Sequence, residues 1–175
     1  MDLSALDGAY ETECGQYFFE TALWVDAAPG QLLGPPEAIL EIDCLTITLD
    51  ELKATQEGRA SLSIDADGEA MPFNSILGWF TTDFRGSPAS PAAVPVTLTT
   101  EPTDAGATHW GQQQFHLERD MDAPPGSTVR VGWAVSRQRQ NQRLLNVALD
   151  LAVQRPGDDG AAAPLATRRC LYRID

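Results

Sequence analysis

Two histidines, three cysteines and one Thr-His-Trp tripeptide hold most of the chemical potential of this chain. His109 and His116 stand one short strand apart, and no third ligand at metal spacing accompanies them, so no metal triad is legible. His116 alternates with Phe115 and Leu117, which makes it a strand residue and not a ligand. Cys14, Cys44 and Cys170 are odd in number, far apart and outside any C-x-x-C spacing. They define neither a disulfide framework nor a zinc site and read as free thiols of a reducing compartment. No G-x-S-x-G elbow supports a serine nucleophile, and no G-x-x-x-x-G-K loop could cradle a phosphate. What remains is Thr108-His109-Trp110. An indole face attracts cations and an imidazole can give or take a proton, so this pair at the mouth of a strand could line a pocket for a guanidinium. Equally, Trp110 reads as core and His109 as an ordinary loop residue.

The elements that must position such a loop are mostly strands. Runs rich in Ile, Leu, Val, Thr and aromatics at period two predict strands at Ile39 to Thr48, Ala60 to Ile64, Ser75 to Phe84, Val94 to Thr99, Gln112 to Leu117, Thr128 to Val135 and Leu144 to Val153. A last short one is predicted at Arg169 to Tyr172. Asp65-Ala66-Asp67-Gly68, Gly86-Ser87-Pro88, Asp122-Ala123-Pro124-Pro125-Gly126 and Asn141-Gln142 supply the reversals. Pro156-Gly157-Asp158-Asp159-Gly160 and the alanines after it read as a flexible loop. Ahead of the strands, Leu3, Leu6, Tyr10 and Tyr17 fall at roughly helical intervals and predict one short amphipathic helix. Pro29, Gly30, Gly34, Pro35 and Pro36 mark an irregular connection. The expectation is a mainly β, antiparallel sandwich or barrel.

With 175 residues, 43% of them hydrophobic and 21% charged, the chain has the size and composition of one globular domain. No signal peptide and no membrane span is evident. A net charge of -13 argues against direct nucleic-acid binding and favours a basic partner. No strand is followed by a glycine-rich turn opening a helix, so any nucleotide-like cofactor would be held by other residues than these.

The tripeptide and its surroundings resemble the protein arginine methyltransferase family. Thr108-His109-Trp110 is similar to that family's T-H-W loop. Gly78-Trp79-Phe80-Thr81-Thr82-Asp83-Phe84 looks like its G-x-x-x-x-F-D/x-x-F barrel strand, and Val96-Thr97-Leu98-Thr99-Thr100-Glu101-Pro102 like its L-S-T-x-P segment. Gly111-Gln112-Gln113-Gln114-Phe115-His116-Leu117 is similar to the strand after the loop, and Arg137 to Arg143 resembles the basic hairpin. Glu41 to Leu52 looks like an early barrel strand with its acidic turn, and Asp2-Leu3-Ser4-Ala5-Leu6 like the second half of the helical dimerisation arm.

The resemblance implies a C-terminal antiparallel β-barrel, residues 38–175, preceded by a remnant of the arm and a connection, residues 1–37. It implies methyl transfer from S-adenosylmethionine to peptidyl arginine, with Thr108, His109 and Trp110 on the substrate side and Leu3, Leu6 and Tyr10 in dimerisation. It also implies that the S-adenosylmethionine-binding domain and the two glutamates that hold the guanidinium lie outside these residues. The chain alone is then expected to bind no cofactor and to be inactive. Partners would be arginine-containing basic proteins such as histones, a separate cofactor domain and a second copy, in cytoplasm or nucleus. Two rival readings stay open. One is a free-standing regulatory barrel that binds basic peptides or a full-length methyltransferase. The other is a small-ligand barrel or carbohydrate-binding sandwich with Trp79, Trp110 or Trp133 as an exposed platform.

Overall fold

The computed structural model describes residues 6–68, 70–104, 108–158 and 162–175. In chain order its elements are α1 (Asp7–Phe19), β1 (Leu23–Val25), α2 (Leu49–Lys53), β2 (Gln56–Ser63), β3 (Met71–Gly78), β4 (Thr81–Ser87), β5 (Ser90–Thr99), β6 (Gln112–Ala123), β7 (Thr128–Arg137), β8 (Leu145–Gln154) and β9 (Ala166–Ile174). All strand pairs between them are antiparallel. The mainly β reading with one short N-terminal helix holds.

Alternating Val and Leu in the second half of the chain dictate the largest sheet, ordered β2-β7-β8-β9. Val129, Val131 and Trp133 of β7, Val147, Leu149, Leu151 and Val153 of β8, and Tyr172 of β9 all turn to one buried face. Their neighbours Arg130, Asp150 and Arg169 turn to solvent. Across from that face lies a second sheet, β1-β6-β3, which contributes Phe73, Phe115, Leu117 and Met121 to the same core. Each fully buried Leu or Val is worth about 1.5–3 kcal/mol relative to an exposed one, so this single cluster is the main stabilising feature.

Hydrogen-bonded ladders do not close the two sheets into a barrel among the described residues. Where β6 meets β9 they are tied by the Tyr172 hydroxyl, which donates to the His116 carbonyl at 2.7 Å, and by an edge-to-face contact of Phe115 with Tyr172 at 5.2 Å. One bridge from Thr21 to Arg173 adds to the seam. The architecture is thus barrel-like, with side-chain contacts at the seam. The remaining strands, β4 and β5, form a separate two-stranded hairpin. Pro91 and Pro95 in β5 cannot donate to a ladder, which suits an edge. Its register shifts between Phe84 and Gly86, so the hairpin is bulged midway.

Three expectations need correction. The segment Ile39 to Thr48 is not a strand: no described strand pairs with it, and Ile39, Leu40, Ile42 and Leu45 are exposed. Period-two patterning favours a strand only where a neighbour accepts its backbone, and none does here. Second, Ser75 to Phe84 is two strands. The chain breaks at Trp79 and Phe80, and β4 turns away to pair with β5. Third, a second helix exists. In α2 the Thr48 hydroxyl accepts from the Glu51 N–H while the Glu51 carboxylate accepts from the Thr48 N–H at 2.8 Å, a reciprocal cap. The Thr48 hydroxyl also donates to the Glu51 carboxylate at 2.6 Å, and this bond first and the Thr48 N–H second hold the Glu51 carboxyl below its usual range.

The irregular connection is anchored. Leu33 O accepts from Asp65 N at 2.8 Å, and a side chain at Gly34 would collide with the Ser63 carbonyl. β1, which precedes that connection, pairs with β6.

Candidate functional site

The Thr108-His109-Trp110 loop sits directly before β6, and three distant parts of the chain hold it there. Gln112, the first residue of β6, is buried, so its amide must find partners. Its oxygen accepts from Ala27 N and its nitrogen donates to Thr100 O, both at 2.8 Å. Thr100, also buried, exchanges backbone and side-chain bonds with Phe80: its N–H donates to Phe80 O at 3.0 Å, and its hydroxyl accepts from Phe80 N at 3.3 Å. Gly111 takes φ +52, a conformation that disfavours any residue with a Cβ, and lets the chain turn sharply out of the loop into β6. Its N–H donates to Thr108 O at 3.3 Å.

What this scaffold presents is an exposed aromatic edge. Trp110 is 53% exposed, with the rings of Phe80 and His109 edge-on to it at 6.2 and 6.1 Å. Trp24 stands beside them, its indole N–H donating to the Trp110 carbonyl at 2.8 Å. Trp110 is therefore not core, and the bland reading of that residue fails. Thr108 presents a buried hydroxyl without a hydrogen-bond partner among the described residues. A ring edge and an imidazole at this spacing can receive a planar cation over the indole face and offer it one hydrogen bond. They cannot by themselves activate a nucleophile, because no second base or carboxylate is hydrogen-bonded to His109 among the described contacts.

Thr108, His109 and Trp110 form one loop directly before β6. Of the residues expected in dimerisation, Leu6 stands at the N-cap position of α1 without a side-chain cap bond and Tyr10 lies one turn in, both exposed, while Leu3 lies outside the described residues. The loop residues 105–107, which lead into the tripeptide, also lie outside them. Trp79 is half-buried and Trp133 buried, so neither forms an exposed platform. Three residues that build the site are absent from the expected set: Trp24 lies in no recognised motif, and Thr100 and Gln112 stand in family-like segments that do not announce their partners, which lie between 12 and 86 residues away. No group of three or more His, Cys, Asp or Glu among the described residues could hold a metal ion, and none of their helices is long and apolar enough to cross a membrane.

Fold, loop and motif order together define a class. Residues 6–156 match the family described as the arginine methyltransferase oligomerization subdomain, and the chain belongs to the protein arginine methyltransferases. Among individual relatives it is similar to protein arginine N-methyltransferase PRMT10 of rice, 35% identical over 84% of this chain and 38% of that protein. PRMT10 of Arabidopsis thaliana is 30% identical over 88% of this chain and 39% of that protein. The chain thus spans well under half the length of these relatives. In structure it resembles the crystal structure of Arabidopsis protein arginine methyltransferase 10, in a conformation described as uniquely open, with a TM-score of 0.83 and 28% identity, covering 100% of this chain and 48% of that one. A Trypanosoma brucei PRMT1 enzyme-prozyme heterotetramer with AdoHcy shares the fold at a TM-score of 0.73 and 18% identity, covering 100% of this chain and 53% of that one.

Proposed function

We propose that this chain is the substrate-binding β portion of a protein arginine N-methyltransferase, which moves a methyl group from S-adenosylmethionine to a peptidyl arginine. The observation that carries the reading is the rigidly supported edge of Trp110, Phe80 and His109 at the mouth of β6. Trp110 and His109 border the arginine, and the Thr108 hydroxyl, buried and without a partner among the described residues, is free to serve the same side. The net charge of -13 draws in basic peptides such as histone tails and raises their rate of encounter. Holding both reactants in line supplies a large part of such an acceleration, and only when both are bound. The cofactor and the acids that grip the guanidinium come from a cofactor-binding domain, so these residues alone bind no S-adenosylmethionine and do not catalyse. Leu3, Leu6 and Tyr10 serve pairing of two copies, and the assembly works in cytoplasm or nucleus.

The accessible surface supports a missing partner. At 18.9 kDa a self-contained monomer exposes about 8,300 Å² by the usual size scaling, whereas this chain exposes 12312 Å². The same excess supports a second reading, in which the chain is a free-standing regulator that docks on a full-length methyltransferase.

The test is calorimetry of the chain with S-adenosylmethionine, alongside methyl transfer to an arginine-rich peptide by the chain alone and by the chain fused to the cofactor-binding part of the rice relative. We expect no heat and no transfer from the chain, and transfer from the fusion that falls when Trp110→Ala removes about 0.5–2 kcal/mol of cation binding. Micromolar binding of S-adenosylmethionine by the chain alone would overturn this architecture. An inactive fusion, with the chain instead changing the rate of an intact methyltransferase, would favour the regulator.

A further inference from the structure

We infer that Trp24 is a positioning residue for the Thr108–Trp110 loop: it acts through Trp110 and Gly111 and sets the orientation of the aromatic edge. This rests on the function proposed above for that edge. Strand β1 is only three residues long and pairs with the start of β6, with Trp24 opposite Gln113. That register carries the indole past the end of the ladder and over the loop. Two contacts then fix the loop from one side. The Trp24 N–H donates to the Trp110 carbonyl at 2.8 Å, which pins the peptide plane from which the Trp110 ring departs. Gly111 presses against the same indole: a Cβ there would stand 2.6 Å from Trp24 Nε1 and 2.5 Å from Val25 O. The glycine is therefore required both by its φ of +52 and by the closeness of Trp24.

Burial separates this role from that of an ordinary core tryptophan. Trp24 is 58% exposed, whereas Trp133 in the core is 6% exposed. An exposed indole contributes little to the global core, yet this one makes a contact spanning 86 positions of sequence. Gln112, tied to Ala27 just beyond β1, repeats the connection one step deeper. The segment from Thr21 to Ala28 is thus a strap across the base of the loop, and its Trp24 is the part that touches the residues meant for substrate. By contrast, the cleft lined by Asp120, Met121, Asp122, Leu165 and Arg168 between β6 and β9 carries no buried unpartnered group and has no comparable attachment.

The decisive variant is Trp24→Phe, which keeps a ring over Gly111 and deletes only the N–H donor. In the 175-residue chain, hydrogen exchange at Gly111 should speed up by roughly tenfold, the factor for one ordinary hydrogen bond, while Val131 and Leu149 in the core stay unchanged. Gly111→Ala provides an independent route, since it pushes on the indole from the loop side and should loosen the same amides with the donor still present. In the active fusion, Trp24→Phe should raise KM for the arginine peptide about tenfold with kcat and KM for S-adenosylmethionine within about threefold. Unchanged loop exchange in Trp24→Phe would overturn the inference, as would loss of the whole fold, which would make Trp24 a core residue. Loosened loop amides in a fusion inactive even as wild type would uphold the strap and sink the proposed function instead.

Discussion

The two halves of this molecule treat their hydrophobic residues in opposite ways. In β7 and β8 the apolar positions alternate cleanly inward, and Leu151 and Val153 are essentially inaccessible. In α1, the segment before α2 and the β4-β5 hairpin, residues of the same kinds face outward: Tyr10, Leu45, Phe84 and Val94 are all more than half exposed. Large apolar side chains on a monomer's surface are informative where they gather into a patch. The first region carries the core, and the second presents apolar side chains that the described fold leaves uncovered. Membership in a family whose matched segment is called an oligomerization subdomain agrees with that division.

The comparison breaks most visibly at the centre of the core. Leu151→Ala removes a side chain that is 2% exposed in the middle of β8, and we expect a loss of about 2–5 kcal/mol, read as a lower urea midpoint with an unchanged slope. A loss below about 1 kcal/mol would mean that the two sheets do not share one close-packed interior. Gly34→Ala should rank next, because its new methyl meets the Ser63 carbonyl with no flexible group to move aside. The connection would detach from the end of β2, at a cost of about 1–3 kcal/mol as for other overpacked sites.

A smaller effect is expected at the seam between the sheets. Tyr172→Phe keeps the ring against Phe115 and deletes the bond to the His116 carbonyl, for a loss of about 0.5–1.5 kcal/mol in the same urea assay. Burial first, and the neighbouring Cys170 second, push the Tyr172 phenol well above its ordinary value of 10.0. Folding thus favours its protonated form. That contribution is intact below the unfolded phenol's pKa and is lost as pH rises from there towards the folded one, so alkaline titration should ionise Tyr172 only on unfolding. A Tyr172 that ionises while the chain is still folded would place the seam in solvent.

Legibility in the sequence follows the same boundary. Strands β7 and β8 were readable to within two residues because each alternates over a buried face, so pattern and packing agree. The T-H-W loop was readable as a motif. Its support was not, since nothing local to Trp24 or Gln112 announces a partner on a different strand. The Ile39 to Thr48 segment differs for the complementary reason: its apolar residues follow a strand period, yet they stay exposed and no described strand pairs with them. Periodicity reports which residues want burial. It does not report whether the partner belongs to the same fold.

That distinction gives the smallest and most discriminating prediction. Val94 lies in the bulged part of β5 without a register partner, and Phe84 faces only Val96 across the hairpin. Replacing both, Phe84→Ser with Val94→Ser, deletes one cross-strand pair and no core contact, so stability should change by less than about 1 kcal/mol. The solution behaviour should change more. If this face is a docking surface, the double variant should show less self-association than the parent in sedimentation velocity at equal concentration, and the fusion carrying the cofactor-binding domain should lose stability that the isolated chain does not. A large loss in the isolated chain would instead make the hairpin part of the core, and the contrast between a self-sufficient region and a waiting one would fail at the place where it is sharpest.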